Sequence, residues 1–235
     1  MAQDALRQAV WRANMDVPAA GLAVLTWGNA SAADREAGLV LIKPSGVAYD
    51  DLQPEDIVTV SLDTGETVAG EMCPSSDTPT HLALYRGFPG IGGVVHSHST
   101  CAVGWAQAGR EIPCLGTTHA DHFAGPVPVT RQLTAAEIES DYEGRVGAVI
   151  VERFRVGGLD PDHVPAALVP GHGPFTWGAT VQDALRNAIA LEEVARMALQ
   201  TVALRPDVAP LPEPLLNKHF RRKHGPDAYY GQQEV

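Results

Sequence analysis

The chain has 235 residues, 45% of them hydrophobic, and a formal charge of −11. That charge repels nucleic acid and anionic lipid, so neither is expected as a partner, and no apolar run approaches the ~20 residues that a membrane-spanning helix needs. Three cysteines (Cys73, Cys101, Cys114) without C-x-x-C spacing argue against a disulfide scaffold and for a reducing cytoplasm; the N-terminus lacks the basic and apolar blocks of a secretory signal.

In chain order, Leu6, Val10, Ala13 and Val17 fall at helical spacing and predict an amphipathic helix over residues 4–17. Residues 22–31 and 38–46 then read as two strands joined by the turn Asp34–Gly38. Residues 57–62 and 66–70 flank Asp63-Thr64-Gly65, a hairpin signal. A helix is predicted after the capping residues of 75–81, ended by Gly87 and Pro89. Residues 92–98 read as a strand, and Ser99 as the cap of a following helix. Thr134 with Glu137 forms a capping-box pattern at the start of a helix over 133–144. Residues 147–153 (GAVIVER) and 166–175 read as strands. The longest helix is expected over 181–202, with Thr180 and Asp183 at its start. A proline-rich linker leads to a basic helix, 215–225, and an aromatic tail, DAYYGQQEV. Helices alternate with strands that hairpins can pair. The expected fold is a single α/β layered domain, residues 1–235, with a mixed, mostly antiparallel central sheet flanked by helices and a C-terminal segment at 213–235.

Two histidines, His96 and His98, stand one residue apart at the end of the 92–98 strand. On a strand, i and i+2 share a face, about 6.6 Å apart along the chain, so the two imidazoles project together. Neutral rings in that position can converge on one ion. The alternative is an ordinary surface or hydrogen-bonded pair. His172, between Gly171 and Gly173 in VPGHGPF, has little bulk around it and suits a ligand held against a close-packed centre. His119 and His122 are further candidates. Three histidines with an open position would describe a catalytic zinc site. Asp77 is a possible fourth ligand or a base beside the metal, or simply a helix cap.

Taken in order, TWGN (26–29), KPSG (43–46), SSDTPTH (75–81), VHSHS (95–99), GTTHAD (116–121), HGPF (172–175) and NKHFRRKHGPDAYYGQ (217–232) resemble the zinc-dependent class II aldolase family, and within it the L-ribulose-5-phosphate 4-epimerases. The resemblance covers nearly the whole chain. It implies zinc ligands at His96, His98 and His172, with Asp77 on or beside the metal. It implies that Gly28, Asn29, Ser45, Gly46, Ser75 and Ser76 bind a ketopentose phosphate, mainly through its phosphate, and that Asp121 and Tyr230 are the acid/base pair. It also implies a cyclic homotetramer with active sites between subunits.

The residue types suit that chemistry. The hydrogen on C4 of a ketopentose phosphate is not adjacent to the carbonyl, so inversion there needs C3–C4 cleavage and re-addition. An enediolate then needs a positive partner, which a divalent metal supplies. The alternative, a lysine Schiff base, has only Lys43, Lys218 and Lys223 to draw on. Small residues and hydroxyls in turns can cradle a phosphate. The basic cluster at 218–224 is expected to reach a phosphate site or an interface acid, with His219 its first candidate. A class II aldolase that releases its fragments, and a non-catalytic scaffold of the same fold, are the competing readings.

Overall fold

A computed structural model describes residues 2–226 and 228–231. The rest of the expected aromatic tail, residues 227 and 232–235, lies outside the described residues. The elements run α1 (Ala2–Ala19), β1 (Asn29–Asp34), β2 (Leu39–Ile42), β3 (Val58–Ser61), β4 (Thr67–Ala69), α2 (Thr78–Gly87), β5 (Gly93–His96), α3 (Thr100–Gln107), α4 (Thr117–Ala120), α5 (Ala135–Gly157), β6 (Ala166–Leu168), β7 (Pro174–Gly178), α6 (Val181–Leu204) and α7 (Glu213–Arg221). The strands form one seven-stranded sheet in the order β4-β3-β2-β1-β5-β7-β6, and each neighbouring pair is antiparallel. None of the described helices is long and apolar enough to cross a membrane.

Period-two alternation splits the core between the two faces of the sheet. Val40, Val60 and Val94 pack with Leu84, Tyr85, Ile150 and Phe154 of α2 and α5. Their neighbours Leu41 and Val95 turn the other way, toward Val10, Val17, Ala184 and Ala188 of α1 and α6. The result is a helix–sheet–helix sandwich in which β5 is central and buried throughout. Gly93 backs directly onto the N-terminus of α6, where a Cβ would lie 2.4 Å from Val181 Cα.

Both expected capping boxes form, Thr134 with Glu137 on α5 and Thr180 with Asp183 on α6. Three local expectations are corrected. Residues 22–28 are a turn, not a strand: Leu25 (φ 54°) and Gly28 (φ 79°) take left-handed backbone, and the sheet begins at Asn29. Residues 147–153 are helical, inside α5. Their β-branched content suggests a strand, but Val146, Ile150 and Phe154 recur at the i, i+4, i+8 spacing of one buried helix face. Gly147 lets that face meet α2 closely, since a Cβ there would fall 2.5 Å from that of Ala83. Ser99 occupies the N-cap position of α3 but caps nothing. The Glu192 carboxylate does so instead, accepting from Cys101 N (2.8 Å) and Ala102 N (3.0 Å).

Candidate metal centre

Strand β5 ends at His96, so His98 lies in the loop before α3 rather than on the strand. The two rings still converge: His96 Nε2 and His98 Nε2 are 3.1 Å apart. The third ring arrives from a tight turn before β7, where His172 N donates to Val169 O and Val169 N to Gly173 O. Gly171 supplies the left-handed residue of that turn (φ 69°). Gly173 supplies the close approach, because a Cβ there would stand 2.9 Å from Ser97 O. His172 Nε2 lies 3.1 Å from His96 Nε2, and ligand atoms of the three rings all fall within 4.8 Å of one another.

The donor set fits a divalent ion. Nitrogens bound tetrahedrally at ~2.0–2.1 Å stand about 3.3 Å apart, close to both observed separations. His96 Nδ1 donates to Pro174 O (2.9 Å), which fixes the tautomer that leaves the Nε2 lone pair open. Its ring stacks on Phe175 at 4.2 Å. Burial pushes His96 down to about 3, and burial also lowers His98 and His172, against the opposing pull of Asp77. All three rings are therefore neutral at pH 7, as ligation requires.

Asp77 sits at the N-cap of α2 but makes no capping bond. Its Oδ2 instead accepts from Asn29 Nδ2 at 2.7 Å. Burial raises its pKa, but nearby His96 and His81 and the Asn29 bond outweigh that, and the net shift is downward. Asn29 is paired with His96 in the β1–β5 register and also donates to Ser75 Oγ (3.0 Å). The buried Asn29 Oδ1 has no partner among the described residues.

These groups line one cavity of about 440 Å³, together with Gly28, Ser45, Gly46 and Ser76. The Ser45 and Ser75 amides are engaged by Cys73 O and Lys43 O, so these residues offer hydroxyls rather than N–H groups. Ser75 Oγ accepts from Asn29 Nδ2 and Asp77 N, which leaves its own proton to give. Lys43 is buried. Its Nζ donates to Val47 O (2.6 Å) and lies 5.0 Å over the Tyr49 ring; burial lowers its pKa. Gly28 is locked beneath the site: a Cβ would stand 2.8 Å from His96 O.

Asp121, His219 and Tyr230 do not join this cavity. Asp121, at the end of α4, receives Arg222 Nε (2.9 Å) and Arg222 Nη2, and His219 Nδ1 is 3.0 Å away. Burial raises the Asp121 carboxyl, and the Arg222 and His219 bonds bring it below its ordinary value. Tyr230 lies over Arg222 and Lys223, at 5.0 and 4.4 Å. Asp121 and Tyr230 line a second cavity of about 590 Å³. His119 is a buried ring bonded to Gly125 O (2.7 Å), and His122 faces the second cavity; neither joins the histidine cluster. Sequence reading missed Trp27, Tyr142 and Glu143, which line the histidine cavity. The available signal was a cap-type residue, Asp141, in the middle of a helical pattern, three before Gly144.

Neutral imidazoles converging at the end of strand β5, beside a carboxylate and a rim of small and hydroxyl residues, define a candidate metal enzyme for a small anionic substrate. Residues 8–199 match the Class II Aldolase and Adducin N-terminal domain, and the chain belongs to that family. The chain is 55% identical over 227 residues to proteins named L-ribulose-5-phosphate 4-epimerase UlaF in Salmonella paratyphi A and Salmonella typhi, covering 97% of this chain and 98% of each relative. Among solved structures, an L-fuculose 1-phosphate aldolase aligns with a TM-score of 0.76 at 22% identity, over 92% of this chain and 95% of that one. YgbL of Escherichia coli aligns with a TM-score of 0.74 at 26% identity, over 93% and 99%.

Proposed function

We infer that this protein is an L-ribulose-5-phosphate 4-epimerase, interconverting that ketopentose phosphate with D-xylulose 5-phosphate. The observation that carries the reading is the meeting of the His96, His98 and His172 Nε2 atoms beside Asp77, in a cavity rimmed by Ser45, Gly46, Ser75 and Ser76. Near full-length identity to relatives of that name selects the substrate.

In the reaction, the C4 hydroxyl gives up its proton, the C3–C4 electron pair passes to the C1–C3 fragment, and glycolaldehyde phosphate separates as an aldehyde. The aldehyde turns and the bond re-forms on its other face, with the proton returned to the oxygen. His96, His98 and His172 would hold a divalent ion, which we take to be zinc, and that ion would supply the positive charge that an enediolate needs. Asp77, held by Asn29, stands on or next to that ion. The Ser45, Ser75 and Ser76 hydroxyls with Gly28, Asn29 and Gly46 hold the phosphate ahead of α2, where the helix dipole favours an anion. Asp121 and Tyr230 serve the two faces of the aldehyde as acid and base. In one chain they line a different cavity from the histidines, so the reading requires a second copy to bring them in. A homotetramer with sites between subunits meets that need, and His219, bonded to Asp121, steadies the acid/base pair. The three free cysteines fit a cytoplasmic enzyme.

The test is a product assay with L-ribulose 5-phosphate. D-Xylulose 5-phosphate is expected. Release of free aldehyde would replace the epimerase by an aldolase, and no turnover in metal-loaded protein would favour a scaffold. Tyr230→Phe should keep its fold and metal and lose about 10²–10⁴-fold in kcat; near-normal turnover would remove Tyr230 from the mechanism.

A further inference from the structure

Helix α5 is not continuous. At Asp141 the backbone leaves the helix (φ −160°, ψ 69°) and re-enters it at once. Asp141 Oδ1 then accepts Gly144 N at 3.3 Å, the bond of an N-cap to the third residue of a new helix. The cap occupies the place of a side chain at 144: a Cβ there would lie 2.1 Å from Asp141 Oδ2. The two residues immediately after the break, Tyr142 and Glu143, are the only ones of α5 that line the histidine cavity.

Tyr142 Oη lies 3.3 Å from His172 Nδ1, with the rings 21° from parallel. His172 points its Nε2 at the other two imidazoles, so in the neutral ring Nδ1 carries the proton and donates to Tyr142 Oη. The contrast with His96 shows why this contact is needed. His96 Nδ1 is held by the backbone carbonyl of Pro174, on the paired strand. His172 stands on a turn between two glycines, and its Nδ1 has no backbone partner among the described residues.

We propose that Tyr142 is a positioning residue that sets the ring angle and tautomer of His172, and that the Asp141–Gly144 break in α5 presents it. The proposal rests on the three-histidine metal reading and adds to it a side chain that acts on the ligand set through His172. It follows that the site depends on a helix interruption as well as on its ligands.

The experiment uses full-length protein loaded with cobalt in place of zinc. The readouts are the visible absorption of the bound cobalt and the rate at which a chelator removes it. Tyr142→Phe should leave the melting temperature of the metal-free protein unchanged, shift the cobalt band, and weaken metal retention by about 10–100-fold. Gly144→Ala should reproduce the shifted band, because its methyl displaces the Asp141 cap while Tyr142 itself is intact. Tyr142→Phe with a wild-type band and wild-type chelator kinetics overturns the proposal, provided that the wild type takes up one equivalent of cobalt. Wild-type protein that takes up none overturns the metal reading and this proposal together.

Discussion

The two cavities differ in what holds their polar groups. Around the histidines most restraints are backbone: His96 is on an interior strand, its Nδ1 bonds a carbonyl of the next strand, and Gly28 and Gly173 let neighbouring chain segments approach without side chains. Around Asp121 the restraints are charged side chains from one late segment, Arg222, His219 and Lys223, that reach back about a hundred residues. The sheet fixes His96, and the loop after β5 and the turn before β7 bring His98 and His172 to it. The second cavity draws part of its lining, Lys223, His224 and Tyr230, from the segment that follows α7. The proposed ion site and the proposed acid and base thus depend on different parts of the chain.

The largest expected effect tests whether the two cavities meet across subunits. His96→Asn should lose bound metal and about 10³-fold or more in kcat. Tyr230→Phe keeps its metal, and each variant alone is nearly silent. If one subunit's histidines work with another's Tyr230, mixed oligomers refolded from equal amounts of the two variants recover about a quarter of wild-type activity, since half of each contribution is intact. No recovery in oligomers shown to be mixed would place both halves of each site in one chain.

A smaller effect compares the restraints themselves. Gly28→Ala must place a methyl on left-handed backbone and against His96 O, and should cost about 2 kcal/mol or more, about 4–8 °C in Tm. Gly225→Ala, in the C-terminal segment, is also left-handed but meets nothing within 4 Å and should cost about 1 kcal/mol. Equal losses in calorimetry would erase the distinction between a locked and an open backbone.

The smallest effect is the pH dependence of the charged cavity. The folded-state pKa of Asp121 is lowered, so its stabilising contribution is present above the ordinary carboxylate range and is lost as pH falls through the lowered value. Wild type should exceed Asp121→Asn by about 1 kcal/mol at neutral pH, with the two converging on acidification. A gap that widened toward acid would contradict the assigned direction.

What could be read from the amino-acid order was whatever is local. The one-residue spacing of His96 and His98, the glycines around His172, and both capping boxes are written in a few consecutive positions. The continuation of α5 was hidden because Val149, Ile150 and Val151 favour strands individually, while their place on a helix face is decided by packing against α2. Tyr142 was missed because its relevance depends on a contact with a ring 30 residues away. The basic run at 218–224 was visible as a patch of charge, yet nothing nearby in the chain says that its target is Asp121. The aldolase-like fold followed from the order of motifs and matches the family.

The pairing of β5 with β7 has a consequence for assembly. His96 and His172 are separated by 76 residues and become neighbours only through that strand pair. An unfolded chain offers an incoming ion just the adjacent His96 and His98, a weak two-point grip. The full three-ring cluster waits for the long-range pairing of β5 with β7, which forms more slowly than local contacts. If the three histidines hold the ion as proposed, its tight capture marks completion of the β5–β7 pair, and cobalt colour developing during refolding would time that event.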